Sequence, residues 1–183
     1  MTTQTQTGQT WFRQLNTTTF NNRYGYGLYF YTKNFVSIDK LNFLRYNSGI
    51  YYYNNSNNNT ITSATCNSNN YGIYYNGSNN NTITSATCNS NSYGIYYSGS
   101  SNNTITSATC NSNTNYGISY SSSSSNNTIY ALSTTGNTTA GINADNANNI
   151  CHSATIAEST KVATGSAYYS NTRQYINNLG GYS

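Results

Sequence analysis

The sequence predicts an all-β fold, a single-stranded right-handed parallel β-helix (β-solenoid) of about six coils of about 22 residues. The 22-residue unit 71–92 is repeated almost unchanged on both sides, so that Ile61, Ile83 and Ile105 are one unit apart. A fixed period of about 20 to 50 residues is typical of solenoids and repeat arrays. Each unit contains three short apolar runs with the two-residue alternation of strands. Asn, Ser and Gly, the residues that turns favour, separate these runs.

The period of the repeat translates directly into a coil. A unit that returns to its starting position places each strand over its copy in the previous coil, about 4.8 Å away and in parallel register. Crossovers between parallel strands are right-handed in about 98% of cases, and we therefore expect a right-handed helix. At about 4.8 Å per coil, the rod is expected to be about 30 Å long.

The chain divides into an N-terminal arm or cap (1–25), the coils (26–156) and a C-terminal cap or tail (157–183). The end coils of a β-helix leave strand edges that must be covered. Alternating Thr and Gln in the arm therefore predict a strand added to a neighbouring subunit. The expected assembly contacts are Thr3, Thr5, Thr7, Trp11 and Phe12. A homo-oligomer, or an assembly with other structural proteins, is the expected state.

Six anchors, each an apolar residue that follows Gly, mark the expected coils: Leu28, Ile50, Ile73, Ile95, Ile118 and Ile142. The first coil carries larger apolar residues and charges, which are typical of a terminal repeat. Residues 46–144 contain no Lys, Arg, Asp, Glu or His. The regular coils are therefore expected to be uncharged.

Composition limits the classes of function. Charged residues make up 5% of the 183 residues and Pro is absent, a polarity that usually indicates disorder. Here stacked repeats bury their few Ile against identical neighbours, so a single domain with a thin core is expected. A net charge of +4 is too sparse for nucleic acid binding. No apolar run is long enough for a membrane span, and we recognise no signal peptide at the N-terminus.

Three recurring strings resemble a known family: Tyr-Gly-Ile-Tyr, Ser-x-Asn-Asn-Thr-Ile and Cys-x-Ser-Asn, all within residues 26–156. They are similar to the right-handed β-helix repeats of the NosD and pectin-lyase-like superfamily. The resemblance implies the fold. It implies no single function, because this repeat serves lyases, hydrolases, phage tailspikes, surface proteins and copper-centre maturation. Copper delivery is not expected, because the chain has one Met and one His.

Catalysis is not expected from the acidic residues. Polysaccharide hydrolases and lyases need paired carboxylates, or an acid near a base, on the flank of the rod. The only acids are Asp39 in the first coil, Asp145 in the sixth coil, and Glu158. We therefore expect a protein that is not an enzyme and has no cofactor; a polysaccharide lyase or hydrolase is the least favoured alternative.

The cysteines indicate packing rather than metal binding. Cys66, Cys88 and Cys110 occupy one position of the repeat and should form a buried column of small side chains. A single column does not supply the converging ligands of a zinc site. Cys151 and His152 are neighbours that point to opposite faces of a strand, so no metal site is expected there either.

Pairs of Asn precede the second strand of four units and should stack in register as side-chain ladders. These pairs are Asn58–Asn59, Asn80–Asn81, Asn102–Asn103 and Asn126–Asn127. We expect them to be structural.

Two outward columns are candidates for binding. One is a Thr-x-Thr array that resembles the ice-binding faces of β-solenoid antifreeze proteins: Thr60, Thr62, Thr82, Thr84, Thr104 and Thr106. The other is a tyrosine column, Tyr29, Tyr51, Tyr74 and Tyr96, which faces opposite to Phe30, Tyr52, Tyr75 and Tyr97. One of these two aromatic columns must be exposed, and exposed Tyr is enriched at interfaces and at sugar-stacking surfaces.

The leading hypothesis is a non-catalytic structural subunit of a larger assembly at a virion surface, spike or tail, or in an extracellular filament, with a role in surface attachment. The alternative is a glycan-binding module that uses the tyrosine column, and an ice-binding protein is less favoured. The expected location is a virion or the extracellular or cell surface. Native mass and polysaccharide binding discriminate between these hypotheses.

Overall fold

The computed structural model describes residues 2–6, 9–13, 19–21, 25–121, 123–144, 149–152 and 154–158. These residues form strands and turns, with no helix among them and hence none that could cross a membrane. The strands are β1 (Thr2–Gln6), β2 (Gln9–Arg13), β3 (Thr19–Asn21), β4 (Tyr26–Tyr31), β5 (Val36–Asp39), β6 (Asn42–Leu44), β7 (Ser48–Tyr53), β8 (Thr60–Thr62), β9 (Thr65–Asn67), β10 (Tyr71–Asn76), β11 (Thr82–Thr84), β12 (Tyr93–Ser98), β13 (Thr104–Thr106), β14 (Tyr116–Ser121), β15 (Thr128–Tyr130), β16 (Leu132–Thr134), β17 (Ala140–Ala144), β18 (Ile150–Cys151) and β19 (Ala154–Ile156).

Three parallel faces wind along the rod, which confirms the predicted β-helix. The Tyr sheet has the order β4-β7-β10-β12-β14-β17, and the Thr sheet has the order β1-β2-β5-β8-β11-β13-β15-β18. The third face, the Cys sheet, consists of β3-β6-β9 and β16-β19. Its two parts are connected by single bridges between successive coils, Thr65 to Thr87, Thr87 to Thr109 and Thr109 to Ser133.

The number of turns differs slightly from the prediction. The six strands of the Tyr sheet enclose five complete turns, so the expected six coils become about five. Six anchor positions correspond to five intervals, because the sixth anchor, Ile142, begins a turn instead of completing one.

The core is a set of vertical columns of identical side chains. Ile50, Ile73 and Ile95 are partners in the register of the Tyr sheet, and each is fully buried. Ile61 and Ile83 repeat this arrangement in the Thr sheet. Each coil contributes a single strand to each face, so its apolar side chains are covered mainly by the coils above and below.

Glycine before each anchor permits the close approach of neighbouring coils. A Cβ atom on Gly72 would lie 2.4 Å from the carbonyl oxygen of Gly94 and 3.1 Å from Cβ of Cys88. Gly94 would make the same contacts one coil later, with Gly117 and Cys110. The Gly-Ile string of the repeat is therefore required by packing at this corner of the coil.

The N-terminal segment pairs with strands of its own chain. Strand β1 pairs antiparallel with β2 of the same chain, and β2 continues the Thr sheet in parallel register with β5. Thr3 and Thr5 of β1 are thus paired with residues of β2, the strand that contains Trp11 and Phe12, within the chain. Their predicted contacts with a neighbouring subunit stay a prediction. Two residues separate the strands, and closing so short a loop costs far less entropy than recruiting a second molecule. Thr7 lies outside the described residues.

Strand β3 pairs in parallel with β6, so rod structure begins before Tyr26. Part of the predicted N-terminal arm or cap is thus stacked on the first coil, and the boundary at residue 25 stays a prediction. Of the predicted C-terminal cap or tail, residues 159–183 lie outside the described part of the chain.

The Asn pairs divide into two roles. The second members, Asn59, Asn81, Asn103 and Asn127, are buried and form a continuous ladder. In it, the backbone N–H of Asn81 donates to Oδ1 of Asn103 at 2.8 Å, and its side-chain amide donates to the same oxygen at 3.0 Å. The first members lie in exposed turns with positive φ, as in Asn80 (φ 56°). Only one residue of each pair therefore stacks in the interior.

A second ladder follows the Cys sheet and was not predicted. Asn69, Asn91, Asn113 and Asn137 are buried, and each backbone N–H donates to the side chain one coil later. The last acceptor is the carboxylate of Glu158, which Asn137 contacts through its backbone and side-chain nitrogens. The 22-residue recurrence of Cys-x-Ser-Asn was the signal that could have revealed it.

Candidate interaction surface

The structure determines which aromatic column of the Tyr sheet is exposed. Tyr52, Tyr75 and Tyr97 are completely buried, and their rings stack with centroids 5.0 and 5.1 Å apart. In the other column Tyr29 is 47% exposed, Tyr74 and Tyr96 are half-buried, and Tyr51 is 9% exposed beneath its neighbours. The predicted binding column, Tyr29, Tyr51, Tyr74 and Tyr96, is therefore the outer one.

The inner phenols are structural. The hydroxyls of Tyr52, Tyr75 and Tyr97 have no hydrogen-bond partner among the described residues. Burial raises the pKa of Tyr75 and Tyr97 well above the usual value, so both remain neutral. Leaving a buried hydroxyl unsatisfied costs about 1–3 kcal/mol, which the stacked rings must offset. These side chains face no solvent and cannot contact a ligand.

A second row of tyrosines lies beside the predicted column. Tyr71 stacks on Tyr74 with ring centroids 4.9 Å apart, although strict alternation would place Tyr71 inside with Ile73 and Tyr75. The alternation is broken at Gly72, because both Gly72 and Ile73 are directed into the core. Among the described residues, the outer tyrosine face therefore contains ten tyrosines. They are Tyr26, Tyr29, Tyr31, Tyr51, Tyr53, Tyr71, Tyr74, Tyr93, Tyr96 and Tyr116.

The rings of this face stack along the rod. Tyr51 and Tyr74 have centroids 4.6 Å apart and planes 12° from parallel, and Tyr71 and Tyr93 have centroids 5.2 Å apart and planes 16° from parallel. Other pairs are tilted, up to 48° for Tyr74 and Tyr96. Neighbouring coils thus cover much of each ring face and leave the ring edges and hydroxyls outward.

Hydrogen bonds hold the outer rings in place. The side-chain amide of Asn76 donates to the hydroxyl of Tyr51 at 3.3 Å and to that of Tyr74 at 3.2 Å. The Tyr96 hydroxyl lies 2.7 Å from Oγ of Ser121. Partial burial and the neighbouring phenols raise the pKa of Tyr74 to about 12. Because residues 46–144 carry no acidic or basic side chain, most of the face is uncharged.

The predicted Thr-x-Thr array lies on the Thr sheet with its six residues in register. Thr62, Thr84 and Thr106 are aligned partners on half-buried positions, next to the parallel column that begins at Thr60. In the column of Thr62, Thr84 and Thr106, the partner before Thr62 is Asp39 and the partner after Thr106 is Tyr130. This column therefore has only three rows of Thr. An ice-binding role for this surface stays a prediction.

The described acids lie near opposite ends of the rod. Asp39 is in β5, whereas Glu158 follows β19 and is buried. The Thr134 hydroxyl donates to Oε2 of Glu158 at 2.7 Å, and Asn137 donates to Oε1. Glu158 thus terminates a ladder and does not face a groove. Asp145, the third acid, lies outside the described residues.

A bacteriophage tailspike is structurally similar to the chain. The enzymatically active domain of tailspike protein 2 from bacteriophage CBA120 superposes with a TM-score of 0.64 at 16% identity. The match covers 81% of this chain but only 25% of that one, so the chain spans about a quarter of the tailspike's length. This likeness supports the β-helix fold alone. No curated protein sequence matches the chain significantly.

The family match raises the question of copper, because residues 6–182 match the family described as periplasmic copper-binding protein (NosD). Copper favours Cys, Met and His ligands. The described residues include no group of three or more His, Cys, Asp or Glu that could hold a metal. Contact with the Cys88 thiol and burial raise the pKa of Cys110 well above its usual value, which keeps that thiol protonated. His152 stacks on Tyr130 with ring centroids 4.6 Å apart.

The described residues therefore do not fit a copper site, and the cysteines pack the core as predicted from the repeat. The repeat itself, the parallel faces and the match over almost the whole length agree on the family. The chain belongs to the NosD family of β-helix proteins.

Proposed function

We propose that the chain is a non-catalytic structural β-solenoid subunit of a larger assembly, such as a virion spike or tail or an extracellular filament. The observation that supports this proposal is the outer tyrosine face, a broad aromatic surface on a rod whose regular coils are uncharged. A wide aromatic surface is typical of protein interfaces. Ladders of buried amides link successive coils, which suits a spacer or scaffold.

The acids support the non-catalytic part of the proposal. Hydrolysis of a glycosidic bond needs two carboxyl groups roughly 5 to 10 Å apart. Asp39 and Glu158 are separated by about five turns, roughly 20 Å or more along the rod, and Glu158 is occupied by hydrogen bonds. Neither described acid is placed to act with the other.

The names of two similar proteins support the proposed location. The family is named for a periplasmic protein, and the structural neighbour is a phage tail protein. A location outside the cytoplasm, on a virion or at a cell surface, agrees with both.

Native mass spectrometry and sedimentation velocity of the full chain test this function. We expect oligomers or fibres whose population increases with protein concentration, and no cleavage of polysaccharides. A protein that stays monomeric up to millimolar concentration, or that cleaves a polysaccharide, would contradict the proposal.

Glycan binding is the second candidate, and the N-terminal end of the outer tyrosine face favours it. Sugars stack on free aromatic faces, which the middle coils cover by ring stacking. Tyr26 and Tyr29 lie at the end of the stack and are 43% and 47% exposed. Titration with a panel of bacterial surface polysaccharides and pectin, followed by tyrosine fluorescence, tests this candidate. Tyr29→Ser should abolish binding, whereas the control Tyr96→Ser should leave it intact.

A further inference from the structure

The described part of the chain covers the outer tyrosine face only in part: Tyr51 is buried, the later rings are half-buried, and the first rings are exposed. Of the six large apolar side chains that are exposed where the structure describes burial, four belong to it: Tyr26, Tyr29, Tyr31 and Tyr53. Five strands about 4.8 Å apart and six residues long give it dimensions of about 24 by 17 Å, or about 400 Å². The largest apolar patch on a soluble monomer is typically about 300–600 Å² and is often functional.

Charge and ring geometry restrict the partner. No Lys or Arg occurs between residues 46 and 144, so the part of the face from Tyr51 to Tyr116 offers nothing to attract phosphates, nucleic acid or anionic lipid. Stacking of rings such as Tyr51 on Tyr74 leaves mainly edges and hydroxyls for contact. The partner that fits is uncharged and flat, and presents hydrogen-bonding groups with a repeat of about 4.8 Å.

We propose that the outer tyrosine face docks against the same face of a second copy of this chain, an inference that rests on the proposed function. A two-fold axis places the same patch on both molecules, so their repeats match along the whole contact. Two uncharged faces do not repel each other. A phenol hydroxyl both donates and accepts a hydrogen bond, so rows of phenols can satisfy one another.

The contact that this face can form is small. About 400 Å² per molecule is half of the roughly 800 Å² that each partner buries in a standard interface. The isolated pair is therefore weak and depends on concentration. Within an assembly that already holds rods side by side, the high effective concentration makes the same contact persistent.

A triple substitution, Tyr51→Ser, Tyr74→Ser and Tyr96→Ser, tests the contact. The fold already accepts Ser in this column, because Ser119 is the partner of Tyr96 in the next coil. The matched control changes the Thr sheet instead, with Thr62→Ser, Thr84→Ser and Thr106→Ser. Sedimentation equilibrium over a concentration series should show equal Kd for wild type and control, and at least a tenfold weaker Kd for the tyrosine variant.

The outcomes separate this inference from the proposed function. If the wild type associates and the tyrosine variant associates equally well, the inference is wrong while the structural role stands. If the wild type is monomeric throughout, both are wrong. Should the Ser variant fail to give the strand circular dichroism of the wild type, the Tyr→Phe triple at the same positions replaces it. That variant keeps the rings and removes the hydroxyls, and unchanged association would overturn the proposed pairing of phenol rows.

Discussion

At the scale of single residues, the turns depend on side chains that tolerate the left-handed backbone region. Asn58, Asn80 and Asn102 have φ values of 57°, 56° and 58°. Asn tolerates this region because its short polar side chain bonds locally. Phe35 occupies the equivalent turn of the first coil with φ 57°, and its side chain is 54% exposed. A bulky residue there is strained and contributes little to the core.

Phe35→Asn should therefore stabilise the rod. Relief of the left-handed conformation contributes about 1 kcal/mol, and the exposed ring loses little by removal. Thermal unfolding followed by circular dichroism should show a higher Tm. The reciprocal change, Asn80→Phe, should lower the Tm; a lower Tm for Phe35→Asn would contradict the argument.

The buried phenols make stability depend on alkaline pH. Burial raises the pKa of Tyr75 and Tyr97, whereas the unfolded chain ionises near pH 10. Below pH 10 these phenols are protonated in both the folded and the unfolded state, so they do not make stability change with pH. Above pH 10 the unfolded chain releases protons that the folded rod keeps, so each such phenol lowers stability by about 1.4 kcal/mol per pH unit.

Denaturant unfolding at pH 8, 10 and 11 checks this dependence. The free energy of unfolding should be level from pH 8 to just below pH 10 and then fall. Absorbance at 295 nm should show that part of the tyrosines ionises only on unfolding. A single ionisation step near pH 10 with the rod still folded would contradict the assigned burial.

At the scale of elements, the ladders convert isolated strands into a rod. Each short strand contributes few backbone hydrogen bonds, and the buried Asn side chains supply further acceptors between coils. Asn103, for example, accepts the backbone and side-chain N–H of Asn81 and donates to Asn127. Such a ladder needs an acceptor in its last coil, because an unpaired buried amide would otherwise remain.

Glu158 supplies this last acceptor for the ladder of the Cys sheet, so its replacement should depend on the new side chain. Glu158→Ala removes the acceptor of Asn137 and Thr134 and should cost about 1–3 kcal/mol. Glu158→Gln keeps one carbonyl oxygen for Asn137 and should cost less. Equal unfolding free energies for the two variants, measured in urea, would show that the ladder needs no acceptor here.

At the scale of the whole molecule, the rod has a protected edge at its beginning. Strand β1 covers β2 in antiparallel pairing, whereas β2 follows the parallel order of the Thr sheet. At this end the outermost strand of the Thr sheet is therefore β1, a short polar strand that covers the edge of β2. Uncovered strand edges are sites of edge-to-edge aggregation.

Deletion of residues 1–8 removes β1 and should expose β2 while the coils still fold. We expect near-native circular dichroism together with new aggregates in light scattering. Addition of Thr10→Lys to the shortened chain, which places a charge on the exposed edge strand, should reduce them. Scattering equal to that of the full chain would show that β1 does not protect this edge.

The repeat alone determined most of the fold. A 22-residue period with three alternating runs allows little besides a parallel coil, because identical residues such as Ile61, Ile83 and Ile105 can be buried together only by stacking. The same reasoning placed the cysteines in the core. The predicted number of coils was too high, because the six anchors were counted and not the five turns between them.

Tertiary structure alone determined the surface. Alternation could not show which tyrosine column faces out, since a reversed register satisfies the same pattern. The inward turn at Gly72 then placed Tyr71 beside Tyr74, against the two-residue period. The partner of β1 and the acceptor that ends the second Asn ladder are likewise set by contacts between distant coils. Local sequence fixes the conformation of a strand, but only the packed rod decides which of its faces meets solvent.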